Sequence, residues 1–424
     1  MVRALHATLL MLVVVGIAAV VGFGLVATDT VDANVAITET EAGNQTVPHA
    51  PPDIDSTERL LVPTPSVETA DGAPAADPGR ATSMSFDQLR ATYDAGILES
   101  EVGATSSSDA QITRVQDELA TVEADLESTL ADEEAAFASF TDGEITAPEL
   151  FAEMGVLHER SQTLQYRLDH ISQTVQGITS PLTQDQVRIV RGEVSQLNME
   201  AQTIEGPIRS DSSAIVRGVE QADAPYHVHA STDGYVLSSI DNGMYTREIT
   251  VLANQDRDSG SGYTNDDTAR DRAANLYPWT YDQAIATEST LRGGIYWTSL
   301  DHPHGSTTMF LDGGTELSFR EIHEIDLITV PTVTELETGN ESLDIRVDRT
   351  YAGGPAVITA TDADSEEPVA DVTVQVDNQT IAQTNAEGEA WITSPPGHFE
   401  LTLETGEWTS SYELAFPVGD PTVS

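Results

Sequence analysis

The chain has 424 residues, with 70 Asp and Glu against 19 basic residues, all of them arginine; the formal net charge is -51. That balance excludes the basic footprint that nucleic-acid or anionic-lipid binding requires. The absence of cysteine excludes disulfides and thiolate metal sites. Hydrophobic residues still make up 39 % of the chain and the acids are spread throughout, so folded domains are expected, not one acidic tail. Self-repulsion of this size opposes compaction in dilute buffer. Multimolar salt, with a Debye length of roughly 3 Å or less, screens it. The composition therefore reads as that of an extreme halophile's protein.

Residues 9–27 (LLMLVVVGIAAVVGFGLVA) carry no charge, and Arg3 is the one cation before them. As a helix they would span about 28 Å, close to a bilayer core. Arg3 favours an inside N-terminus with the bulk of the chain outside. An uncleaved membrane anchor and a cleaved signal segment both stay open for residues 1–33, so secretion is the alternative to a single membrane span. Residues 34–83, rich in Pro, Ala, Thr, Ser and acids, are expected to form a disordered tether.

The pattern then becomes helical. Ile112, Val115, Leu119, Val122, Leu126 and Leu130 recur at spacings of three and four, and Phe137 and Phe140 extend the stripe. A second stripe runs Met154, Leu157, Ser161, Leu164, Leu168, Ile171, Val175 and Ile178, and a third Val187, Val190, Val194, Leu197, Ala201 and Ile204. These are heptad seams. They predict three long helices in an antiparallel coiled-coil bundle over residues 84–210, with Thr183 and Gln186 resembling a capping box.

From about Ser213 the period falls to two. Tyr226 to Ala230, Tyr235 to Leu237 and Tyr245 to Leu252 read as strands, and Asp266 to Leu276 as a short helix capped by Thr264 or Asn265. Three more strands follow, the last two joined by Asp312-Gly313-Gly314. Residues 211–330 are thus expected to be an α+β domain. The stretch GGIYWTSLDHPHGSTTMFLDGGTELSF, ending its strand in Phe310-Leu311-Asp312-Gly313, resembles half of a PepSY-type domain. That likeness implies an interaction or inhibitory role towards a peptidase and brings no catalytic residues.

Residues 331–424 alternate at Leu343, Ile345 and Val347, at Val372, Val374 and Val376, and at Phe399, Leu401 and Leu403, which predicts a β-sandwich. Pro368-Val369 before a strand, the turn Thr384-Asn385-Ala386-Glu387-Gly388, and Pro396-Gly397 resemble the carboxypeptidase regulatory-like and transthyretin-like sandwiches. These usually space or present other domains. The fold class expected is multidomain α and β: coiled-coil bundle, α+β domain, C-terminal sandwich. The whole arrangement resembles haloarchaeal membrane-anchored surface proteins.

Two His-x-His pairs are the candidate metal ligands, His227 with His229 in a strand and His302 with His304 at a strand end. Asp256-Arg257-Asp258-Ser259-Gly260 and Asp362-Ala363-Asp364-Ser365-Glu366 hint at calcium loops but miss the EF-hand spacing. There is no Gly-x-Ser-x-Gly elbow, no Ser-x-x-Lys and no phosphate-cradling glycine loop. Asn44, Asn340 and Asn378 head glycosylation sequons. No cofactor is expected. The reading is a non-enzymatic, membrane-tethered extracellular protein that binds an unidentified protein partner or shapes the envelope. A regulator of a secreted peptidase and a metal-dependent hydrolase using the four histidines are the alternatives.

Overall fold

The computed structural model describes residues 60–62, 67–178, 184–222, 224–257, 262–339, 342–350, 354–393, 397–406 and 408–416. The apolar segment 9–27, Thr183, Asn44 and Asn340 lie outside them. Among the described residues no helix is long and apolar enough to cross a membrane.

Helices fill the first half: α1 Pro78–Ala104, α2 Ser108–Thr141, α3 Ala147–Gln176, α4 Gln184–Gln202 and α5 Pro207–Val216. The three apolar stripes lie along α2, α3 and α4 and the turns that end them, and all but the half-buried Val187 are buried. Two helices had no such stripe to announce them. α1 buries mainly small or widely spaced residues, Met84, Ala91, Ala95, Leu98 and Val102, and α5 is short. The boundary expected at 210/211 falls inside α5. α1 is started by Asp77, whose Oδ1 accepts the backbone N–H groups of Gly79 at 2.8 Å and Arg80 at 3.1 Å, with Pro78 at the first helical position. Asp77→Ala should cost about 1 kcal/mol. An unchanged denaturant midpoint would show that this cap adds nothing.

Beyond the helices runs one eight-stranded, fully antiparallel sheet, made of β1 Glu68–Gly72, β2 Tyr226–Ser231, β3 Gly234–Asp241, β4 Met244–Val251, β5 Ala286–Arg292, β6 Ile295–His302, β7 Gly305–Asp312 and β8 Ser318–Asp326. Its order is β1-β2-β3-β4-β8-β7-β6-β5, two meanders joined where β4 pairs with β8. β1 corrects the expected tether. Glu68-Thr69-Ala70-Asp71-Gly72 is polar enough to read as linker, yet it pairs residue by residue with β2. Such polar, short edge strands resist pairing with other chains.

The helices pack on one face of this sheet. Tyr226, Val228, Ala230, Tyr235 and Leu237 share a single core with the stripes of α2, α3 and α4. The other face is covered in two parts. α6 Asp266–Leu276 and α7 Pro278–Asp282 bury Tyr296, Leu300, Met309 and Leu311. Leu60 and Val62 lie over Val236, Ile249 and Val251. α6 is capped by Asn265, whose side chain accepts the Thr268 N–H, as its sequence suggested.

The remaining strands, β9 Val333–Gly339, β10 Leu343–Arg349, β11 Pro355–Asp362, β12 Thr373–Val376, β13 Gln379–Gln383, β14 Glu389–Thr393, β15 Gly397–Thr405 and β16 Trp408–Phe416, form two four-stranded sheets. Their orders are β14-β11-β10-β9 and β13-β12-β15-β16. The alternating residues named above are all buried between them. Trp391 of β14 packs against Tyr245 and Ile325 of the large sheet with Leu327 and Val330 just beyond β8, and the Gln379 side chain donates to the Asp71 carbonyl at 2.9 Å.

Candidate functional site

The strongest concentration of ionisable groups lies where α2, α5 and the sheet meet. Arg209 of α5 is wholly buried. Its Nε donates to Glu248 Oε2 at 3.1 Å, its Nη1 to the Ile204 carbonyl at 2.9 Å and its Nη2 to Tyr235 Oη at 3.0 Å; it also ion-pairs with Glu133 of α2. Tyr235 donates its phenol proton to Glu133 at 2.6 Å. Arg320 of β8 completes the cluster, donating to Glu248 at 3.2 Å, Thr250 Oγ1 at 3.0 Å and the Glu205 carbonyl at 2.5 Å. Two guanidinium groups thus neutralise two carboxylates. Burial pushes the Glu133 carboxyl up, but Arg209 and Arg320 override it and hold it below the usual carboxylate range. Burial and the charge of Arg209 push Arg320 down.

Glu248 has a second task. Its Oε1 accepts the Ile208 N–H at 2.7 Å, so a strand carboxylate caps the N-terminus of α5. Gly206 makes room for it, because a Cβ there would stand 2.3 Å from the carboxylate. This cluster ties the helix layer to the sheet.

A second buried chain of polar groups runs on the opposite face. Glu321 of β8 accepts the Leu60 N–H on both oxygens, at 3.0 and 2.8 Å, and also binds the Tyr277 hydroxyl and His323 Nε2, the latter at 2.8 Å. Arg247 donates to the Leu60 carbonyl at 2.8 Å. Thr307 Oγ1 bridges His323 Nδ1 at 3.2 Å and His302 Nε2 at 3.1 Å. Burial pushes the Glu321 carboxyl up, yet His323 and Arg247 hold it below its usual value.

The four candidate metal ligands do not converge. His227 and His229 share a face of β2, as alternation predicted, but His227 Nδ1 is engaged by Asp71 at 3.0 Å. His229 is buried, and desolvation, then His227 and Arg247, push it down to about 3. His302 ends β6 and His304 lies in the turn after it, and they pack against Trp279, edge-on and stacked respectively. Four strands separate β2 from β6, a distance of about 24 Å at roughly 4.8 Å per strand. Among the described residues no group of three or more His, Asp or Glu is disposed to hold a metal ion.

The acidic loop at Asp362 has a local explanation. Asp362 Oδ1 accepts the N–H groups of Asp364 and Ser365 and the Ser365 hydroxyl, which hold its carboxyl low. Residues 258–261 of the other acidic loop lie outside the described residues. Asn378 is exposed in the β12–β13 turn, where Asp377 and Asn378 both have positive φ, at 50° and 67°.

One feature had no sequence signal. A cleft of about 660 Å³, including its open mouth, lies between the large sheet and the sandwich. The Asp71–His227 pair, Ile240, Ile381 and Trp391 line it. They come from distant stretches of the chain, so neither spacing nor composition could have joined them.

Fold and site together define an α+β protein, helices laid on an antiparallel sheet, carrying a C-terminal sandwich and a structural charge cluster. The chain belongs to the family described as a domain of unknown function, DUF7096, whose model matches residues 1–221. Residues 226–331 match a family of unknown function, DUF7094, and residues 334–411 match an archaeal fibronectin-III type-like domain. The sandwich expectation is met, with the fibronectin-III type in place of the carboxypeptidase regulatory-like one. No curated protein and no solved structure matches.

Proposed function

We propose that this chain is a non-enzymatic ectodomain of a halophilic archaeon, held at the membrane by residues 9–27, that binds a protein partner or shapes the envelope. The observation carrying this reading is the Arg209–Glu133–Glu248–Arg320 cluster: four buried charges are spent on one another across the helix–sheet junction. The match to an archaeal fibronectin-III type-like domain and the net charge of -51 support the same reading. The heptad stripes on α2, α3 and α4 support coiled-coil packing of those helices in a stiff stalk-like layer.

External protease added to intact cells in multimolar NaCl should digest the chain while cytosolic markers survive. Cross-linking on the same cells should then recover the chain joined to another envelope protein. Full protection from the protease would overturn the reading.

A further inference from the structure

α1 is apolar on two opposite faces. One face, Met84, Ala91, Ala95, Leu98 and Val102, is buried within this chain. The other carries Phe86, Leu89, Tyr93 and Ile97 at spacings of three, four and four, and these are 64, 65, 67 and 39 % exposed. At 100° per residue they fall within an arc of about 80°, a continuous stripe roughly 16 Å long. Single exposed apolar residues need no explanation, but a heptad-spaced row does.

The borders of the stripe say what fits it. Along one side run Asp87, Arg90, Asp94 and Glu101; along the other run Ser85, Thr92 and Gly96. Arg90 is 73 % exposed, with Asp94 at 3.6 Å. In an antiparallel, two-fold pairing like borders meet. Centred at the level of Thr92, such a pairing sets Arg90 of each copy beside Asp94 of the other, so the charged border is self-complementary. Gly96 lies mid-helix, where glycine weakens a helix, and a Cβ on it would meet nothing within 4 Å of this chain. Its own fold gives no reason for the glycine, whereas a second backbone passing close does.

We propose that the outer face of α1 binds a second copy of this chain, antiparallel, through Phe86, Leu89, Tyr93 and Ile97. The four side chains expose roughly 450 Å² per copy, and their borders bring the total to about the 1,000 Å² that a specific interface needs. The acidic residues of the border disfavour a lipid surface as the occupant. The inference rests on α1 alone and does not depend on the proposed non-enzymatic role.

The test is sedimentation velocity of the full chain in nonionic detergent and multimolar NaCl. The wild type should form a dimer. Leu89→Glu with Tyr93→Glu should raise the dissociation constant at least about 100-fold with unchanged circular dichroism, since both side chains face solvent. Gly96→Gln should raise the melting temperature of the monomer and weaken the dimer, two opposite signs that a merely structural glycine would not give. A chain that stays monomeric, a dimer untouched by the double substitution, or a monomer that floats with anionic vesicles would each overturn the proposal.

Discussion

Arg209→Met should destabilise the fold by about 3–5 kcal/mol, the range for removing one partner from a buried ion pair. Methionine fills a similar volume, so the loss is electrostatic and not a cavity effect. Glu133 and Glu248 would be left facing Arg320 alone, with Tyr235 Oη and the Ile204 carbonyl each missing a donor. Arg209→Lys should rescue only part of the loss, because an ammonium cannot reach Glu248, Ile204 and Tyr235 from one rigid fork. Adding Glu133→Gln to Arg209→Met should recover stability relative to the single variant, since the neutral amide removes one uncompensated charge. Denaturant unfolding in multimolar NaCl measures all of these. A loss below about 1 kcal/mol for Arg209→Met would mean that the cluster does not lock the layers, and the functional reading built on it would fall too.

Acid should weaken the protein through two of its buried histidines. Burial holds His229 at about 3 and His302 at about 4, both below the ordinary 6.5. The unfolded chain therefore takes up protons that the folded chain refuses. The stability tied to each neutral imidazole is present above pH 6.5 and is lost as pH falls towards the folded value. At roughly 1.4 kcal/mol per pH unit, each histidine should cost about 2 kcal/mol between pH 8 and pH 5, about 4 kcal/mol together. Glu200, Glu205 and Asp211, pushed up by burial, act in the opposite direction. The histidine contribution is isolated by His229→Gln with His302→Gln, which should flatten the slope of stability between pH 6.5 and 5. A double variant that keeps the wild-type slope would show that these imidazoles accept protons in place.

Periodicity carried the sequence reading where one face of an element is apolar. The stripes of α2, α3 and α4 and the alternating strands of the sandwich are of this kind, and their residues are buried. It failed where stability comes from backbone pairing or from small residues. β1 is held by its ladder to β2 with only polar or small side chains, and α1 meets its neighbours through Ala91 and Ala95. The polar sites were less legible still. Alternation put His227 and His229 on one face, but the strand order that parts them from His302 and His304 depends on where β8 inserts, beside β4. Nothing local in Arg209, Glu133, Glu248 or Arg320 announces a partner in a chain with 70 acids.

The grip on Leu60 bears on how the molecule takes mechanical load. A pull on the chain ahead of that residue does not first reach the edge strand β1, which could peel away one hydrogen bond at a time. It reaches the Glu321 carboxylate and the Arg247 guanidinium, which stand on β8 and β4, the two middle strands of the sheet. Tension is thereby shared into the part of the fabric with neighbours on both sides, and Leu60 acts as an anchor bolt through its centre, shielding the seam at its margin.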